Sequence, residues 1–124
     1  MGLDQYAVAV KSDSYPDLGD FNFKEEDEQV SLAYWRKHAN LQGWMENLYR
    51  SLGGTDQFNC VNVRLTLGNL DALEKDVKES ALPETEGFFF GKSRPEERGL
   101  DLEFIRKARE SIANGYTVYY SSWW

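Results

Sequence analysis

Three breaks constrain the fold of this chain most: Gly53-Gly54, Pro83 and Asn114-Gly115 each close a run of apolar residues spaced three or four apart. Glycine after a last turn supplies the left-handed backbone that stops a helix, and proline cannot continue one. The runs between these stops are short and alternate with strand-like stretches, so the 124 residues divide into small mixed elements rather than one long bundle.

Gln5 to Val10 alternates Tyr6, Val8 and Val10 with smaller residues, which predicts a first strand. The stretch 12–29, rich in serine and acids, reads as a loop with a short extended piece over 20–24, where Phe21 and Phe23 stand two apart. Ser31 reads as an N-cap, and Val30 with Trp35 as a hydrophobic staple, for a helix ending at Gly53-Gly54. Its stripe of Tyr34, His38, Leu41, Met45, Leu48 and Leu52 falls on one face. Phe58 to Leu65 predicts a second strand. Thr66 then caps a helix that buries Leu67, Leu70, Leu73 and Val77, pairs Asp71 with Lys75 and Glu74 with Lys78 outside, and ends at Pro83. Phe88 to Phe90 reads as a short strand, 100–113 as a third helix burying Phe104, Ala108 and Ile112, and Tyr116 to Ser121 as a last strand. The order β-α-β-α-(β)-α-β predicts an α+β sandwich. A sheet of three or four strands is covered by about three helices in a single domain, 1–124, with an acidic loop at about 12–29.

Composition narrows the function classes. The net charge of −7 is uneven: residues 1–30 hold eight acids against Lys11 and Lys24, and the remainder is nearly neutral. No basic stripe offers the phosphate contacts that duplex nucleic acid needs, while a small anion stays compatible. No window approaches the ~18 apolar residues of a membrane span, and nothing marks export. The lone Cys60 sits in an apolar run as a core thiol and fits a reducing cytoplasm. A homo-oligomer is compatible with the sequence.

Eleven of the eighteen aromatic residues lie in three stretches, 34–44, 87–91 and 116–124. Aromatic faces beside cationic donors suit a planar group with an anionic part. The candidate ligand-binding set is therefore Tyr34, Trp35, Arg36, Lys37, His38, Asn40, Trp44, Phe89, Phe90, Ser121, Ser122 and Trp123. Gly43, an interior helix glycine, marks a point where a ligand or another strand comes close to the backbone. Trp123 and Trp124 either pack back on the core or meet a partner.

Catalytic machinery is sparse. One histidine and one cysteine exclude a Cys/His metal site, and the consecutive Glu25-Glu26-Asp27-Glu28 do not converge on one ion. His38 is the only side chain that ordinarily titrates near neutrality, but its place on an apolar stripe reads first as a satisfied core histidine. No GxGxxG or GxxxxGK[ST] loop is present, so neither a metal nor an organic cofactor is expected.

The start MGLDQY, the run YWRKHANLQGWMENLY, the GFFFG and the end YYSSWW together resemble a family of small proteins of tailed bacteriophages, including cyanophages. Family members typically begin MGLDMY, so Gln5 stands where they carry methionine. The motif positions here are Tyr34, Trp35, Arg36, Lys37, Trp44, Gly87, Phe89, Phe90, Gly91, Ser121, Ser122 and Trp123. Some members carry the label phosphoglycerate kinase. Such an enzyme clamps two substrates between two domains, and this chain has neither the length nor a phosphate-binding glycine loop. The resemblance implies a phage accessory protein of the infected host cytoplasm that binds rather than catalyses. Its expected partner is a small nucleotide-like anion, a host defence signal being one candidate, or else a host or phage protein.

Overall fold

The structure is a computed structural model that describes residues 3–12, 15–19, 21, 23–24, 27–83, 85 and 96–124. It is α+β: five strands, β1 (Asp4–Val10), β2 (Leu18–Gly19), β3 (Gln29–Arg36), β4 (Asn62–Leu65) and β5 (Thr117–Trp123), with three helices, α1 (Ala39–Ser51), α2 (Leu67–Lys78) and α3 (Glu97–Ala113). The sheet order is β2-β4-β5-β1-β3, and every pairing is antiparallel. This is one or two strands more than expected, because β3 and the two-residue β2 join the sheet. The expected strand at Phe88 to Phe90 lies outside the described residues.

β3 is the main correction. Residues 32–36, read as the start of a helix behind a Ser31 cap, belong instead to β3, the edge strand beside β1. The register runs Ala33 opposite Ala7 and Ser31 opposite Val8, so Leu32 is an extra residue in a bulge. The bulge turns Leu32 and Trp35 to the same buried side although they stand three positions apart. A spacing of three between buried residues imitates a helix, which is why the pattern misleads. Ser31 caps nothing. Lys37, at φ 60°, turns the chain, and α1 begins at Ala39 behind His38.

The rest of α1 follows the expected stripe as far as Leu48; Leu41 and Met45 are buried, but Leu52 is exposed. Gly53, at φ 99°, stops the helix, with Gly54 N–H returning to the Tyr49 carbonyl at 2.9 Å. Thr66 and Asn69 form a reciprocal capping box on α2, and Leu70, Leu73 and Val77 are buried as expected. Leu67 is exposed instead. The helix ends at Lys78, ahead of Pro83, where Ser80 takes φ 54°. Asp71 pairs with Arg109 of α3 at 2.6 Å rather than with Lys75, and Glu74 joins Arg109 at 2.8 Å as well as Lys78 at 3.8 Å. Asn114 and Gly115, at φ 90°, close α3 as read.

The helices cover one face of the sheet. Trp35 meets Phe104 edge-on with ring centroids 5.1 Å apart, and Phe58 stacks on Tyr120 at 6.2 Å, in a core shared with Leu41, Met45, Leu70 and Ile105. In β1 the buried positions include Gln5, Ala7 and Ala9, while Tyr6 is exposed, so the strand lies the other way over from its apolar alternation. Among the described residues no helix is long and apolar enough to cross a membrane.

Candidate functional site

Strand alternation places Asp4 and Tyr6 of β1, Tyr34 and Arg36 of β3, Ser121 and Trp123 of β5, and Asn62 and Arg64 of β4 on the face away from the helices. The ladder sets them in rows. Arg36, Asp4 and Trp123 lie abreast, and so do Tyr34, Tyr6, Ser121 and Asn62. Tyr6 and Tyr34 touch with centroids 5.4 Å apart, and the Tyr34 hydroxyl donates to Asp4 Oδ1 at 2.6 Å. That hydrogen bond to a carboxylate holds the Tyr34 phenol above its ordinary range.

The acidic stretch folds back over the other half of this face. Tyr15 stacks on Phe21 at 5.6 Å, Phe21 and Phe23 pack on the Tyr119 ring at 5.7 and 5.2 Å, and the Tyr119 hydroxyl donates to the Pro16 carbonyl at 3.0 Å. Tyr15 is itself hydrogen-bonded to Asp27 and accepts from Lys24 N–H. Where this aromatic strap stops, a cleft of about 270 Å³ opens, lined by Tyr6, Phe21, Phe23, Cys60, Asn62, Ser121, Ser122 and Trp123. Trp123 is 65% exposed at its rim. Among the described residues the Ser121 hydroxyl, the Trp123 indole N–H and the Arg36 guanidinium form no hydrogen bond or ion pair. Cys60 corrects its reading as a core thiol: at φ 61° it turns out of the strand and is exposed beside the cleft.

Other residues of the expected set are used up inside the protein. Trp35 is buried and donates to Asp101 Oδ1 at 2.9 Å. His38, also buried, lies 2.8 Å from Asp101 through Nε2 and 2.8 Å from Glu97 through Nδ1. Gln5 braces this corner: its Oε1 accepts from His38 N–H at 2.8 Å, and its Nε2 donates to the His38 carbonyl at 3.0 Å and to the Tyr120 hydroxyl at 2.9 Å. Tyr120 donates onward to Gln42 Oε1 at 2.6 Å. The network lies behind the sheet from the cleft, so His38 is a satisfied core histidine. Among the described residues no group of three His, Cys, Asp or Glu side chains is arranged to hold a metal ion.

Trp44 donates to Asp76 at 2.8 Å and ties α1 to α2. Asn40 accepts from Thr85 N–H at 3.1 Å, and Thr85 is what crosses Gly43; a Cβ there would overlap its side chain. Ser122 points to the helix side with Gln5, and its carbonyl accepts from Cys60 N–H at 2.7 Å. Lys37 is exposed at the corner beyond Arg36. Phe89 and Phe90 lie outside the described residues. The structure thus gathers Tyr34, Arg36, Ser121 and Trp123 on one open face and separates them from Trp35, His38, Trp44 and Ser122. Tyr6, Phe21, Phe23 and Asn62 are cleft residues that the sequence reading omitted; a strand pair two apart in Phe21 and Phe23 was the available signal. No family model, curated protein or solved structure matches the chain.

Proposed function

We propose that this protein binds a small planar anion of nucleotide type on the open face of the sheet, without chemistry, as a phage accessory protein in the host cytoplasm that withholds a host signal. The cleft walled by Tyr6, Phe21, Phe23 and Trp123 carries the reading, since it offers aromatic surface on several sides of a volume of about 270 Å³. A base held there gains ~1–3 kcal/mol from each stacked ring. The ligand's anionic part lies toward the unpaired Arg36, about 10 Å across β1 from β5. Asp4 between them is an acceptor suited to a sugar hydroxyl. Two stacking contacts and one charge-assisted hydrogen bond supply about 3.5–9 kcal/mol before association costs.

Mass spectrometry of molecules released by heating the purified protein, with a thermal-shift screen of mono-, di- and cyclic nucleotides, tests it. A ligand at 100 times its Kd stabilises by about 2.7 kcal/mol, a shift of several degrees. No released molecule and no shift by any nucleotide removes the proposal.

A second reading, docking on a host or phage protein, rests on the exposure of Tyr34, Tyr6 and Trp123 along one side of the same face. It takes over if nucleotides fail and Trp123→Ala abolishes co-purification of one defined protein from infected cells.

A further inference from the structure

Among the described residues that line the cleft, Asn62 carries a buried side-chain acceptor that no other group of the molecule uses. Asn62 is 8% exposed, and its Nδ2 donates to the Phe21 carbonyl at 2.9 Å. A carbonyl can only accept, so this bond sets the amide's orientation and turns Oδ1 into the remaining acceptor. Among the described residues Oδ1 has no hydrogen-bond partner, yet it is not sealed from solvent; it is reached from the cleft that Asn62 lines. Ser121 stands directly opposite Asn62 on β5 and lines the same cleft with its own unpartnered hydroxyl. An acceptor that cannot donate and a hydroxyl that can do either therefore sit side by side under aromatic walls.

Resting on the nucleotide reading above, we infer that the cleft selects a flat heterocycle bearing an amino group, with Asn62 as the specificity-determining residue. Asn62 Oδ1 accepts from the amino N–H, and the Ser121 hydroxyl donates to the adjoining ring nitrogen. A carbonyl in place of the amino group sets oxygen against oxygen and leaves a buried acceptor unpaired on both sides, which is the stronger penalty. Stacking on Tyr6 and Trp123 is indifferent to that exchange, because every base has a π-face. The preference therefore comes from Asn62 alone.

Calorimetric titration of the full chain with AMP against IMP and CMP against UMP exchanges amino for carbonyl, and the ring nitrogen that becomes N–H is met by the Ser121 hydroxyl accepting instead of donating. The amino member of each pair that binds is expected to bind about tenfold more tightly or better. Asn62→Leu, checked for an intact fold by circular dichroism, brings the two members within about twofold of each other. Equal binding of amino and carbonyl members to the unmodified protein overturns the inference and leaves the nucleotide reading standing. Binding of none of the four overturns the inference, and the nucleotide reading falls with it when the wider thermal-shift screen is empty as well. The comparison on the unmodified protein decides the matter even if Asn62→Leu fails to fold.

Discussion

His38 and Asp101 meet at 2.8 Å across the corner where β3 turns into α1, and Trp35 donates to the other oxygen of the same carboxylate at 2.9 Å. One acid of α3 thus anchors both the last inward residue of β3 and the first residue of the α1 approach. Glu97, one turn earlier on α3, takes the second nitrogen of His38. The aromatic-basic run 34–38 is held from behind the sheet, which leaves Tyr34 and Arg36 to face out.

Removing that anchor is costly. Asp101→Ala takes the shared carboxylate from a buried indole N–H and a buried imidazole nitrogen, and each buried polar group left unsatisfied costs about 1–3 kcal/mol. Urea unfolding followed by tryptophan fluorescence checks this. A loss below about 1 kcal/mol contradicts a structural role for the pair.

Gln5 makes a sharper test, because one side chain braces the whole corner. Its amide satisfies both backbone groups of His38 and the Tyr120 hydroxyl. Gln5→Met fits the volume but takes the acceptor from the buried His38 N–H, at about 1–3 kcal/mol, and one of two partners from the His38 carbonyl and the Tyr120 hydroxyl. A drop in stability of at least about 2 kcal/mol is expected in the same assay. An unchanged midpoint means that the corner does not depend on this amide.

Gly43→Ala has an unusual sign. In an open helix interior the change stabilises by about 1 kcal/mol. Here the new Cβ overlaps Thr85, so the variant is destabilised by about 1–3 kcal/mol, and Gly43→Ala combined with Thr85→Gly recovers most of the loss. Additive losses in the double variant place the strain elsewhere.

Local signals were legible and directional ones were not. Thr66 capped its helix and Asn114-Gly115 ended theirs because these act through the nearest turn of backbone alone. Residues 29–36 misled because the bulge at Leu32 gives a strand the buried spacing of a helix. Ser121 and Ser122 both border the cleft, but their side chains cannot face one ligand together, since neighbours on a strand point to opposite faces. Only the register with β1 shows which one faces out. The cleft was hidden for another reason: Phe21 and Phe23 reach Tyr119 from about a hundred residues away in sequence, a pairing that no local period encodes.

Alkaline pH exposes the core. Burial pushes the Tyr120 phenol far above its ordinary 10.0 and raises Tyr119 as well. With the folded-state pKa raised, the unfolded chain gives up its proton first. The contribution is intact below about pH 10 and is lost as pH climbs above it. Each such phenol steepens the fall by about 1.4 kcal/mol per pH unit. Urea midpoints measured from about pH 8 to about pH 11 show the decline, and Tyr120→Phe shallows it. A flat profile contradicts a buried, protonated Tyr120.

The two terminal tryptophans separate stability from binding. Trp124 is pinned: its indole donates to the Phe58 carbonyl at 2.8 Å, and Asn59 holds its backbone N–H at 3.0 Å and its carbonyl at 3.2 Å. Trp123 is 65% exposed on the opposite face. Trp124→Ala is expected to cost about 2 kcal/mol of stability, and Trp123→Ala less than about 0.5. Nucleotide affinity runs the other way, with Trp123→Ala losing about tenfold or more, the value of one stacked base. Calorimetry beside urea unfolding reads both quantities on the same samples. If Trp123→Ala destabilises the fold as much as Trp124→Ala, the outer face is core under a cover. If it changes neither stability nor affinity, the ligand does not stack on this indole and the cleft is held by Tyr6 and the Phe21–Phe23 strap.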